Sequence, residues 1–133
     1  MKRVPVLLAA LALAGCGAET EPSSVENFEG EERAVAQKVE DLQEAGEGRN
    51  PEDICSDILS RTLVEQLEAA GTTCAEEMGT AIDDADDFAL DVRDVTVSGS
   101  TARAEVRQDG ESATFELERD GESWRISSFG AAG

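Results

Sequence analysis

Three cysteines and one run of aspartates are the residue types in this 133-residue chain that could do chemistry. Cys16 closes an apolar stretch, whereas Cys55 and Cys74 sit in the middle of the chain. Histidine and tyrosine are both missing. The favoured general base and the phenolic oxyanion donor are therefore lacking, and the usual zinc ligand sets cannot be assembled. There is no Cys-x-x-Cys, so a redox pair is poorly supported. The run Asp83-Asp84-Ala85-Asp86-Asp87 invites calcium, but an EF-hand loop wants acids at its first, third and fifth positions and glycine at its sixth. Counting from Asp83, the third position is Ala85 and the sixth is Phe88, so the match fails. Four acids at the negative end of a helix repel it, which predicts an early helix end and a solvated loop. A weak cation site is the alternative.

Cys16 carries the most specific motif. Met1-Lys2-Arg3 supplies two positive charges, and residues 4–14 are apolar. That is a charged n-region followed by an h-region of secretory length. As helix it rises only about 16 Å, roughly half a bilayer core, so it is no spanning anchor. The run ends in Leu13-Ala14-Gly15-Cys16, which resembles the lipobox of a bacterial lipoprotein precursor. The resemblance implies a signal peptide over 1–15, a thioether-linked lipid on Cys16, and attachment to the cell membrane on its extracytoplasmic face. Two or three acyl chains hold stably where one binds only marginally. The competing reading is an ordinary signal peptide that leaves Cys16 as a spare thiol.

Assigning Cys16 to lipid leaves Cys55 and Cys74 as a pair in an oxidising compartment. A bridge between them closes a loop of about 20 residues and contributes roughly 3 kcal/mol by chain entropy. A reduced, buried pair is the alternative. Without Lys2 and Arg3, nine cations face 30 acids, a net charge of −21. Such a surface repels nucleic acid and anionic headgroups, so neither is expected as a partner. The polar stretch 17–26 reads as a flexible spacer, so that 16–27 is lipidated cysteine plus acidic linker, 28–129 a single domain and 130–133 a tail.

The elements that must position these residues begin with helices. Phe28, Val35, Val39 and Leu42 share one helical face, which stops at Gly46. Asn50-Pro51-Glu52-Asp53 reads as a cap, a proline at the first helical position and acids at the positive dipole end. Ile54, Cys55, Ile58 and Leu59 form its buried stripe. Leu63, Val64 and Leu67 follow a kink near Ser60 and run to Gly71. Thr73-Cys74-Ala75-Glu76 is a capping box, after which Cys74, Met78 and Ile82 align.

Beyond Asp87 the period becomes two. Phe88, Leu90 and Val92 alternate, and Val95 and Val97 continue with opposite parity, which requires a bulge near Arg93-Asp94. With Asp109-Gly110 as a hairpin turn, Val106 faces Ala113, Ala104 faces Phe115 and Ala102 faces Leu117. With Asp120-Gly121 as the next turn, Leu117 faces Trp124, Phe115 faces Ile126, and Glu116 lies between Arg103 and Arg125. The fold class is therefore α+β: N-terminal helices packed on a curved four-stranded antiparallel sheet.

That order, with "GSTARAEV" and the closing "DGESWRIS", resembles the nuclear transport factor 2-like superfamily, which includes ketosteroid isomerases and polyketide cyclases. The resemblance covers 28–129 and implies a cone-shaped domain whose concave face carries any chemistry. On the register above, Ala102, Ala104, Phe115, Leu117, Trp124, Ile126 and Ser128 line the possible cavity, and none of them ionises. Lone Ser128 without a base is not a nucleophile. The expectation is a non-enzymatic binding module, without cofactor, for a small apolar ligand or an extracytoplasmic protein. The rival is an unusual cyclase- or isomerase-type enzyme, which requires Asp91 or Glu105 to point inward. A structural envelope lipoprotein is the third reading. Trp124 is read as core rather than as a stacking wall.

Overall fold

The computed structural model describes residues 24–85, 88–108 and 110–130. The leader over 1–15, Cys16, the spacer to residue 23, Asp86, Asp87, Asp109 and residues 131–133 lie outside the described residues. A 3₁₀ turn, Ser24–Asn27, comes first. Its Val25 is buried in the core, and Phe28 packs against that core. The domain thus reaches back into the stretch expected to be spacer, because Val25 is an apolar group with a place to go.

Helix α1 runs Gly30–Glu47 and buries Val35, Ala36 and Val39 completely. It does not stop at Gly46. Its last carbonyls are satisfied by Asn50 N–H on Ala45 O at 2.9 Å and Arg49 N–H on Gly46 O at 3.1 Å, with Arg49 in the left-handed region at φ 52°. This is the helix-ending pattern that glycine usually serves. Gly46 has a different role, described below.

Helix α2 is the single turn Pro51–Asp53, and it passes directly into a π-helical turn, Ile54–Ile58, closed by Leu59 N–H on Ile54 O at 2.9 Å. Asn50 does not cap with its side chain; its amide nitrogen instead donates to Asp53 Oδ2 at 2.6 Å. The wider turn lets Ile54, Ile58 and Leu59 all face the core. Ser60, at the expected kink, is buried, and its Oγ accepts from Leu63 N–H, capping α3 (Arg61–Ala69). Leu63, Val64 and Leu67 of α3 are only half-buried. Thr73 Oγ1 accepts from Glu76 N–H and caps α4 (Cys74–Asp84). The helix keeps Asp83 and Asp84, two residues that repulsion was expected to unwind. Both are exposed, and Asp83 has a cation, Arg49, 3.1 Å away. Cys55 and Cys74 form the disulfide, with Cα atoms 6.0 Å apart, and staple the π-helical turn to the start of α4.

The sheet is an antiparallel meander: β1 (Asp91–Ser98), β2 (Thr101–Gln108), β3 (Glu111–Asp120) and β4 (Ser123–Ser128), in that spatial order. The expected bulge is present, since the β1–β2 register shifts between Val92 and Asp94. It lets Val92 and Val95 both reach the core. The β2–β3 pairing is the expected one, with Ala102 opposite Leu117, Ala104 opposite Phe115 and Val106 opposite Ala113.

The β3–β4 pairing is displaced by two residues. Leu117 faces Ile126, Glu118 faces Arg125 and Arg119 faces Trp124. The reversal uses Gly121-Glu122 rather than Asp120-Gly121, with Gly121 at φ 63° in the first central position, as a type II′ turn requires. A two-residue slip keeps every side chain on its own face, so the alternating pattern could not distinguish the two registers. The observed one sets the Arg119 guanidinium 4.9 Å over the Trp124 ring and in an ion pair with Glu31 of α1. Glu116 keeps Arg103 at 3.6 Å but not Arg125, which pairs with Asp120 at 3.3 Å and donates to Ser56 O at 2.7 Å.

Helices α1 and α3 and the π-helical turn pack against the sheet, while α2 and α4 pack on that turn and on each other. α1 packs on β1, β4 and β2, and Ala102 and Ala104 of β2 are buried. The far edge of β4 is partly covered: Ser60 N–H donates to Ile126 O at 2.8 Å, and Leu59 forms a parallel bridge with Ile126.

Candidate functional site

A pocket of ≈ 400 Å³ opens at one end of the domain, where the C-terminal ends of α1 and α4 meet the β2–β3 end of the sheet. Helix α1 contributes Leu42 and Gly46, helix α4 contributes Met78, Ala81 and Ile82, and the segment before β1 contributes Phe88 and Leu90. Phe115 and Phe129 form the sheet wall, meeting edge to face with centroids 5.3 Å apart. The lining is overwhelmingly apolar; its polar members are Gln108 and Asp84. That size and character suit a small-molecule site.

The pocket's shape follows from local chemistry. Gln43 Oε1 of α1 accepts from Leu90 N–H at 2.8 Å and fixes the segment entering β1. This holds the Phe88 ring flat on Gly46, where a Cβ would meet Phe88 Cδ1 at 2.6 Å. Gly46 is therefore a seat for an aromatic ring. Phe129 comes inward because the β3–β4 register shifts between Glu116 and Leu117, which places Ser128 opposite exposed Glu116. Ser128 thus departs from the expected concave face, and its Oγ accepts from Gly130 N–H.

Of the seven residues expected to line a cavity, only Phe115 lines this pocket. Ala102, Ala104, Leu117, Trp124 and Ile126 are core, each at most 3% exposed beneath the helices. The middle of this sheet face is buried, and the pocket lies at its end. The expectation that no ionisable side chain shares the face also needs correcting, because Arg119 stands at its opposite end over Trp124. Asp91 and Glu105 are exposed, in register with Arg107 and Thr114. Leu42, Met78, Phe88, Leu90 and Phe129 were read as elements of helix or strand faces or not singled out. The signal that marks their site is the recurrence of small residues, Gly46 on α1, Ala81 on α4 and Ala85 just beyond it.

A second, polar cleft of ≈ 370 Å³ lies between α1 and the π-helical turn, lined by Lys38, Asp41, Glu44, Asp53 and Asp57 among others. Lys38 spans it, 3.7 Å from Asp41 and donating to Asp57 O. Among the described residues no group of three or more His, Cys, Asp or Glu is placed to hold a metal ion. Among them, too, no helix is long and apolar enough to cross a membrane. Comparison of the chain with protein-family models, with curated proteins and with solved structures found no match.

Proposed function

We propose that this protein is a lipid-anchored extracytoplasmic domain that binds a small apolar molecule and is not an enzyme. The observation that carries the binding half is the ≈ 400 Å³ pocket, walled by Met78, Phe88, Phe115 and Phe129, with no nucleophile–base pair among the described residues that line it. The anchoring half rests on the charged leader and Leu13-Ala14-Gly15-Cys16. The Cys55–Cys74 disulfide supports an oxidising compartment. The acidic surface speaks against nucleic acid as a partner.

A nuclear transport factor 2-like assignment belongs to the same proposal. It is supported by helices that precede a meander, with α1 and α3 packed on the sheet, and by a bulge in the first strand. The tether would join at the N-terminal end of α1, whose 18 residues extend roughly 27 Å to the pocket end.

Two measurements test the proposal. Mass spectrometry of the natural protein should find a lipid-modified Cys16 at the N-terminus; a bare thiol there would remove the anchor. A thermal-shift screen with uncharged hydrophobic compounds should raise the melting temperature. That rise should vanish in Ala81→Trp, which fills the pocket from an exposed position. A screen in which no compound separates the two proteins would leave the pocket without a role.

A further inference from the structure

The pocket's charge environment narrows what it can accept. Among the described residues Asp84 is its single charged lining residue, and no lysine or arginine lines it. The cation at the end of α1, Arg49, is already in an ion pair with Asp83. Two more aspartates, Asp86 and Asp87, follow in the sequence, outside the described residues. Across residues 24–85, which build the helical walls, 17 carboxylates face four cations. Apolar walls of low polarizability strengthen whatever field the surrounding charges impose.

An anionic headgroup entering this mouth would lose hydration, meet Asp84 and find no cation to pair with. Taking an unpaired charge out of water is expensive, and a like charge nearby adds to the cost. An uncharged molecule bears neither penalty, and a cation gains from Asp84. Resting on the binding reading above, we infer that the pocket selects uncharged or cationic apolar molecules and excludes carboxylates, sulfonates and phosphates of the same shape. Fatty-acid anions are thereby disfavoured relative to uncharged molecules of the same shape.

Two fluorescent probes of nearly the same skeleton separate the possibilities: neutral phenylnaphthylamine and anionic anilinonaphthalene sulfonate. Each is titrated into the full chain and into Ala81→Trp, so that binding to the leader or to detergent cancels in the difference. The pocket-dependent part should be at least about tenfold tighter for the neutral probe, the effect of one near repulsion at partly screened distance. Asp84→Lys should narrow that gap by strengthening the sulfonate about threefold or more. Equal or tighter pocket-dependent binding of the sulfonate by the wild-type chain would overturn the charge selectivity while leaving a binding pocket in place. If neither probe distinguishes wild type from Ala81→Trp, the binding reading itself fails and this inference goes with it.

Discussion

Opening the Cys55–Cys74 bridge should lower the melting temperature by about 14 °C. The two cysteines are 19 residues apart, and closing a loop of that length in the unfolded chain is worth about 3 kcal/mol in the chain-entropy model. For a domain of this size the unfolding entropy is about 0.22 kcal/mol/K, which converts the loss to that temperature shift. The native geometry adds a local reason. The bridge holds the π-helical turn, and with it Leu59 and Ser60, in the position from which Ser60 N–H reaches Ile126 O. The assay is thermal unfolding followed by circular dichroism in three samples: oxidised wild type, wild type in excess reductant, and Cys55→Ala/Cys74→Ala. The last two should fall together and well below the first. A drop smaller than about 4 °C in both would refute the reasoning, since it would mean the crosslink constrains neither ensemble.

Gly46→Ala would ordinarily stabilise a helix by up to about 1 kcal/mol, but here the new methyl group collides with the Phe88 ring, so a loss of about 1–3 kcal/mol in urea unfolding is expected. A gain in stability would show that Phe88 does not rest on Gly46. Arg119→Ala should uncover the face of Trp124, the chain's one tryptophan, giving red-shifted and more quenchable emission at a cost of about 1 kcal/mol; an unchanged spectrum would contradict the stacked geometry. Ser60→Ala removes the α3 cap and leaves a buried position without its hydroxyl, costing about 1 kcal/mol, a loss that chemical denaturation can resolve. Added sodium chloride should raise the melting temperature by screening the excess of acids. A flat response between low and moderate salt would argue that self-repulsion is already relieved by the local ion pairs.

Side-chain periodicity determines a great deal of this protein directly. The opposite parity of Val92 and Val95 cannot be housed in a regular strand, so the bulge follows from the sequence. The β2–β3 register followed from placing a two-residue reversal between Gln108 and Glu111, since facing alone would equally admit a two-residue slip. The cap at Thr73 is a local hydrogen bond and was legible at its own position, whereas Ser60, read as a kink, turned out to cap α3. The pairing of Cys55 with Cys74 followed from counting thiols once Cys16 was set aside.

Only the folded arrangement decided three other features. The β3–β4 register had two solutions of identical patterning, and the observed one sets Arg119 against both Trp124 and Glu31, a residue 88 positions away. Gly46 looked like a helix stop because nothing local reveals that an aromatic ring from beyond α4 will lie on it. The pocket moved from the middle of the sheet to its end for a related reason. Small alanines on a strand can make room for a ligand or for a neighbouring helix, and the sequence does not say which. In the folded protein Ala102 and Ala104 are core, and the pocket lies elsewhere. Periodicity assigns a side chain to a face; what covers that face is set by long-range packing, a property of the assembled layers.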